Sequence, residues 1–144
     1  MYEAEYFCVM RRDHPLADKP LTLDEFCAAR HLQVSLSGRA HGVLDQALTA
    51  IGRSRRVVAT VNQFFTAGRV VTHSDLLAVL PSEFLPSTGM MKQLVMKPIP
   101  LTLPAVQVEL LWHRRHERNL AHAWMREQIM AVGATRDLPW PPLA

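Results

Sequence analysis

Apolar positions along the chain switch repeatedly between short alternating or continuous runs and a helical i, i+3/i+4 spacing. Residues 3–11 alternate through Tyr6, Phe7, Cys8 and Val9, which predicts a strand. His14-Pro15 and Lys19-Pro20 punctuate a loop. Thr22-Leu23-Asp24-Glu25 then has the S/T-x-x-E form of a capping box, opening a short helix that ends near Arg30. A strand is expected over 31–35. After it, Val43, Leu44, Ala47, Leu48 and Ile51 share one face of a helix over 41–51, closed by Gly52. The β-branched run RVVATV over 56–61 predicts another strand, and Asn62-Gln63 is placed to cap a helix over 64–71. Residues 76–80, LLAVL, are continuously apolar, as buried strands of parallel sheets are. A helical turn or two is expected from Pro81-Ser82 to about Gly89. Later, 94–96 and 106–112 read as strands, whereas the prolines of 97–100 bar that segment from a central strand. Asn119 caps a final helix running through Ile129 or Val132 and stopped by Gly133, and LPWPP at 138–142 predicts an irregular or polyproline tail.

Strands alternating with helices imply an α/β sheet with helices on its faces, and ligands of such sheets bind beyond the carboxyl ends of the strands. The segment Ser35-Leu36-Ser37-Gly38-Arg39 offers hydroxyls, a flexible glycine and a cation before the helix over 41–51, the ingredients of an anion site at a helix N-terminus. Asn62-Gln63-Phe64-Phe65-Thr66 forms a second cap that can converge on the same ligand. The plainer reading is a turn and two caps, with Phe64 and Phe65 in the core.

Composition narrows this picture. The 144 residues suit one domain, and 49% hydrophobic against 20% charged residues suits a globular chain rather than a disordered one. No apolar run approaches the ~20 residues of a membrane span, so no membrane association is expected. MYEAEYFCVMRRDHP lacks the layout of a signal peptide, and Cys8 and Cys27 form neither a metal spacing nor a disulfide framework, so a cytoplasmic, reduced protein is expected. The net charge of +3 is carried by dispersed arginines and suits an anionic small molecule as well as a nucleic acid. His113, His116, Glu117 and His122, or His73 with Asp75, invite a metal. Their spacing matches no established ligand pattern and nearby arginines repel a cation, so a solvated basic turn is the better account. No metal or cofactor is expected, and no matched nucleophile and base suggests an enzyme.

Four stretches, CVMRRDHPLADKPLTLDEF, HLQVSLSGRAHGVLDQALTAIG, RRVVATVNQFFTAGRVVTHSDLLAVLP and VQVELLWHRRHERNLAHAWMRE, resemble in order the effector-binding region of LysR-type transcriptional regulators. The resemblance runs from about residue 3 to 133. It implies a type 2 periplasmic-binding-protein-like fold, in which two α/β subdomains joined by two crossover strands hold a small effector between them. On that basis residues 1–12 are the outgoing crossover strand, 13–107 the second effector-binding subdomain, 108–133 the returning strand and C-terminal helix, and 134–144 a tail. Ser35, Leu36, Ser37 and Gly38 match the family's effector loop and Gln63, Phe64 and Phe65 its second one, with His113 near the hinge. The helix over 41–51 and the strand over 56–61 resemble the face that packs on a partner chain's first subdomain.

Most of a first subdomain and the winged helix-turn-helix of these regulators do not precede Met1. The expectation is therefore a half cleft without direct DNA contact, whose final helix, carrying Trp124 and Ile129, promotes self-association or pairing with an intact regulator. The implied function is sensing of a small organic, carboxylate-bearing effector. The alternatives are an interaction fragment without ligand sensing, and a solute-binding protein or enzyme on the same fold.

Overall fold

The computed structural model describes residues 2–39, 41–104 and 106–134, so the expected tail at 138–142 lies outside the described residues. The chain divides into two units, Glu5–Ala105 on the one hand and Met1–Ala4 with Val106–Ala144 on the other. The single strand expected over 3–11 is two strands, β1 at Tyr2–Ala4 and β2 at Tyr6–Arg11, in different sheets. Both halves have strand propensity, but their backbone partners differ, and sequence does not encode that choice locally.

In the larger unit, Thr22 accepts the Glu25 N–H while the Glu25 carboxylate accepts the Thr22 N–H, the reciprocal box that starts α1 at Leu23–Ala28. Then follow β3 (Arg30–Val34), α2 (Val43–Ala50), β4 (Arg56–Val61), α3 (Phe64–Thr72), β5 (Leu77–Pro81), three single 3-10 turns and β6 (Leu94–Pro98). Strand order is β4-β3-β5-β2-β6, with β3 parallel to β4 and β5, and β2 antiparallel to β5 and β6. Pro98 ends the edge strand, where a missing N–H costs no ladder bond. The continuous apolar run near 76–80 does become an interior strand, paired on both sides.

Alternation sorts the core into two layers. Cys8, Met10 and Leu77 pack with Phe26 of α1 and Leu44 and Leu48 of α2 on one face. The intervening Val9, Ala78 and Leu80 are also buried, and α3, whose Ala67, Gly68 and Val71 are buried, packs on β2, β3 and β5. Because the chain leaves β3 through α2 towards β4 and returns through α3 to β5, the connections diverge at the carboxyl ends of β3 and β5. This is the topological switch point at which open α/β sheets hold ligands.

The smaller unit pairs β1 with β7 at Val106–Val108, antiparallel, and ends in α4 at Leu120–Ala134. The strand expected over 106–112 thus pairs over three residues only. The final helix begins as expected, with Asn119 Oδ1 accepting the His122 N–H at 3.1 Å, but it runs through Gly133 instead of stopping there.

Candidate functional site

At the carboxyl end of β3 the Ser35 N–H still reaches the Val61 carbonyl, 2.8 Å, so the segment after β3 starts beside the segment after β4. The chain then turns: the Gly38 N–H bonds Ser35 O at 3.3 Å, with Gly38 at φ +72°, a conformation glycine adopts without cost. The Ser35 and Ser37 hydroxyls lie 3.4 Å apart, and Leu36 at the tip is 92% exposed.

This loop does not cap α2, contrary to the sequence reading. The N-cap is Gly42, and α2 answers its own first turn, the Asp45 carboxylate accepting the Gly42 N–H at 2.8 Å. An anion there would meet that carboxylate, so the helix N-terminus adds little to an anion site. Gln63 holds the N-cap position of α3 but gives no side-chain cap bond. Phe64 is half-buried and stacks on Phe84, centroids 4.3 Å apart, while Phe65 is 49% exposed. Phe84 belongs to the turn Ser82–Phe84 that follows β5. Ser35, Leu36, Ser37, Gly38, Gln63, Phe64 and Phe65 therefore gather along one sheet edge, joined by a turn not singled out in the sequence.

Beneath this edge lies a buried polar network. The Arg55 side chain is 0% exposed; its Nε and Nη2 donate to the two Asp45 carboxylate oxygens at 2.8 and 3.0 Å, and Nη2 also donates to Gln33 Oε1 at 2.5 Å. Gln33 Nε2 donates to the Val34 carbonyl at 2.8 Å. Burial would raise the Asp45 carboxyl, but Arg55 and the Gly42 N–H hold it below the usual carboxylate range. Next to the network, Tyr6, Gln33, Gly42, Leu44, Val79 and Leu103 line a cavity of about 50 Å³. Gln33 gave a faint signal as a polar residue inside an apolar strand; Arg55 gave none.

Burial pushes the Cys8 thiol up to about 12, so it stays protonated, and both cysteines are free. In the smaller unit His116 and His122 stack at 4.0 Å, and Arg115 Nε donates to His116 Nε2 at 2.8 Å. Arg126 lies over the Trp112 ring at 4.7 Å while Trp112 Nε1 donates to Glu117 at 2.7 Å, which ties the basic turn to α4. Among the described residues no cluster of three or more His, Cys, Asp or Glu is arranged to hold a metal, and no helix is long and apolar enough to cross a membrane.

Comparison with known proteins gives the family and the fold. The family description "LysR substrate binding domain" matches residues 1–134. The HTH-type transcriptional activator NahR of Pseudomonas putida is 32% identical over 127 residues, covering 88% of this chain and 42% of NahR. Among solved structures, the probable transcriptional regulator PA0477 from Pseudomonas aeruginosa superposes with a TM-score of 0.79 at 28% identity, over 90% of this chain and 43% of that one. The regulatory domain of MexT, a transcriptional activator in the same organism, gives 0.76 at 27%, over 90% and 62%. The chain thus spans about two fifths of the length of NahR and PA0477. Its relatives are transcriptional regulators, not enzymes, and the mixed α/β architecture is that of their periplasmic-binding-protein-like regulatory domains.

Proposed function

We propose that this chain, which belongs to the LysR substrate binding domain family, senses a small, carboxylate-bearing organic effector through Ser35, Leu36, Ser37, Gly38, Gln63, Phe64 and Phe65. The observation that carries the reading is the Ser35-to-Val61 bond, which sets the two loops side by side at the carboxyl edge of the sheet. The Ser35 and Ser37 hydroxyls suit carboxylate oxygens, and Phe65 with the Phe64–Phe84 stack suits an apolar body. In a whole cytoplasmic regulator such an effector acts by differential affinity, shifting the conformational equilibrium that its two binding states define. DNA contact is not assigned to these residues.

A thermal-shift screen of organic acids tests this. At least one acid should raise the melting temperature, and the Ser35→Ala/Ser37→Ala double variant should lose most of that rise; no stabilisation by any acid, or equal stabilisation of the variant, refutes the site.

A second reading, an interaction module that acts by pairing with itself or with an intact regulator, is favoured by one observation. On α4, Leu120, Trp124 and Ile129 are 86%, 58% and 46% exposed. Sedimentation velocity that finds concentration-dependent association, abolished by Trp124→Ser, supports it; a monomer at high concentration counts against it.

A further inference from the structure

We propose that the cavity beside the loops is a subsite for a small oxygen acceptor, a carbonyl or carboxylate group of the ligand, read by a Gln33 amide N–H that Arg55 positions. The proposal rests on the reading of this sheet edge as the effector edge, and it concerns residues that the loop site does not include.

The amide orientation carries the argument. A guanidinium can only donate, so the Gln33 atom at 2.5 Å from Arg55 Nη2 is the oxygen, and the amide cannot flip without setting two donors against each other. Its nitrogen donates one hydrogen to the Val34 carbonyl. One N–H is left over. That nitrogen lies 3.6 Å from the point where a Cβ on Gly42 would sit, and Gly42 and Gln33 both line the cavity. Leu44, Val79 and Leu103 supply aliphatic wall beside the polar groups of Tyr6 and Gln33, so the cavity offers a donor next to apolar surface. The amide N–H left over can only donate, so a donor-only ammonium group cannot pair with it.

Arg55 is a positioning residue. With its side chain wholly buried and forked onto Asp45, it holds the Gln33 oxygen at a fixed place without itself lining the cavity. Size sets the class of group. About 50 Å³ exceeds the roughly 10–15 Å³ that one water needs and falls well below the ~150 Å³ of a benzene-binding cavity, so a substituent enters and a ring does not.

The test uses NMR of the full chain, following the Gln33 side-chain amide, assigned by its absence in Gln33→Glu. Acetone and acetate are titrated as neutral and charged acceptors, with methylammonium as the donor-only control. A saturable shift of one Gln33 amide proton with acetone or acetate is expected, and which probe acts separates a carbonyl from a carboxylate subsite. Methylammonium should give none. Gly42→Ala, whose extended backbone accepts alanine, places a methyl against Nε2 and should weaken the probe at least tenfold with Arg55 untouched. In Arg55→Lys the affinity should fall by a similar factor while the two Gln33 amide protons move toward the separate shifts of a free glutamine side chain. The cavity assignment is overturned by the absence of a saturable shift with either acceptor, by an equal response to methylammonium, or by unchanged affinity in Gly42→Ala. Unchanged affinity in Arg55→Lys removes the positioning role. Because the readout is at Gln33, it succeeds or fails independently of the thermal-shift result at the serine loop.

Discussion

The two units place similar apolar residues in opposite circumstances. In Glu5–Ala105, Phe26, Met10, Leu48 and Leu77 are fully buried between a five-stranded sheet and its helices. In the smaller unit, α4 is fifteen residues long, yet none of them is buried, and Val132 remains 74% exposed. A five-stranded sheet covered on both faces can seal two core layers, whereas a two-stranded ribbon and one helix have too little surface to cover each other. What holds α4 to the preceding turn is polar and aromatic: Arg126 donates to the His116 and Glu117 carbonyls while it lies over Trp112. An amphipathic pattern therefore specifies a helix without specifying what covers it.

The comparison is broken most directly by Phe26→Ala. Removing this wholly buried ring should cost about 3–5 kcal/mol in urea unfolding of the larger unit, and a loss below 1 kcal/mol would show that the core is not where the structure puts it.

Acid comes next. Burial, outweighing the bond to the Phe26 carbonyl that favours the protonated ring, pushes His31 down to about 4, so the folded state keeps a neutral ring where the unfolded state, near 6.5, takes up a proton. Stability present at pH 7 should therefore fall as pH drops from about 6.5 to about 4, by about 2–3 kcal/mol, and then stop falling on this account. In His31→Gln the slope across that window should shrink to the part left by His14, whose imidazole burial also lowers; an unchanged slope assigns it to other groups.

Gly68→Ala sharpens the packing of α3. A Cβ there would lie 2.6 Å from the Thr88 Cβ, so backbone must shift. The overpacking cost of roughly 1–3 kcal/mol should outweigh the ~1 kcal/mol that alanine gains in helix propensity. A more stable variant would mean that the turn at Pro86–Thr88 yields easily.

The smallest effect belongs to α4. Trp124→Ala should change the unfolding free energy of dilute protein by no more than about 0.5 kcal/mol. A loss above 2 kcal/mol would erase the contrast between the units.

Local chemistry was legible wherever neighbours in sequence settle it. The Thr22–Glu25 box, the Gly52 stop after α2 and the interior character of β5 all follow from residues within one element. Errors arose where a distant partner decides. Glu5 separates β1 from β2 because Val106–Val108 claims one half and β5 with β6 the other. The serine loop lies close enough in sequence to helix 41–51 to predict a cap, but Gly42 and Asp45 close that turn by themselves.

By itself, then, the sequence determined the alternation of strands and helices, the α/β class, the turn that carries Ser35 and Ser37, and the helix start at Gln63 and Phe64, since these depend on periodicity, turn chemistry and caps within a few residues. Only the tertiary structure decided that those loops adjoin, that Phe84 joins them, and that Arg55 reaches across 22 residues of sequence to hold Gln33. Strand order and the burial of a charge are set by contacts between segments remote in the chain, and no local pattern records them.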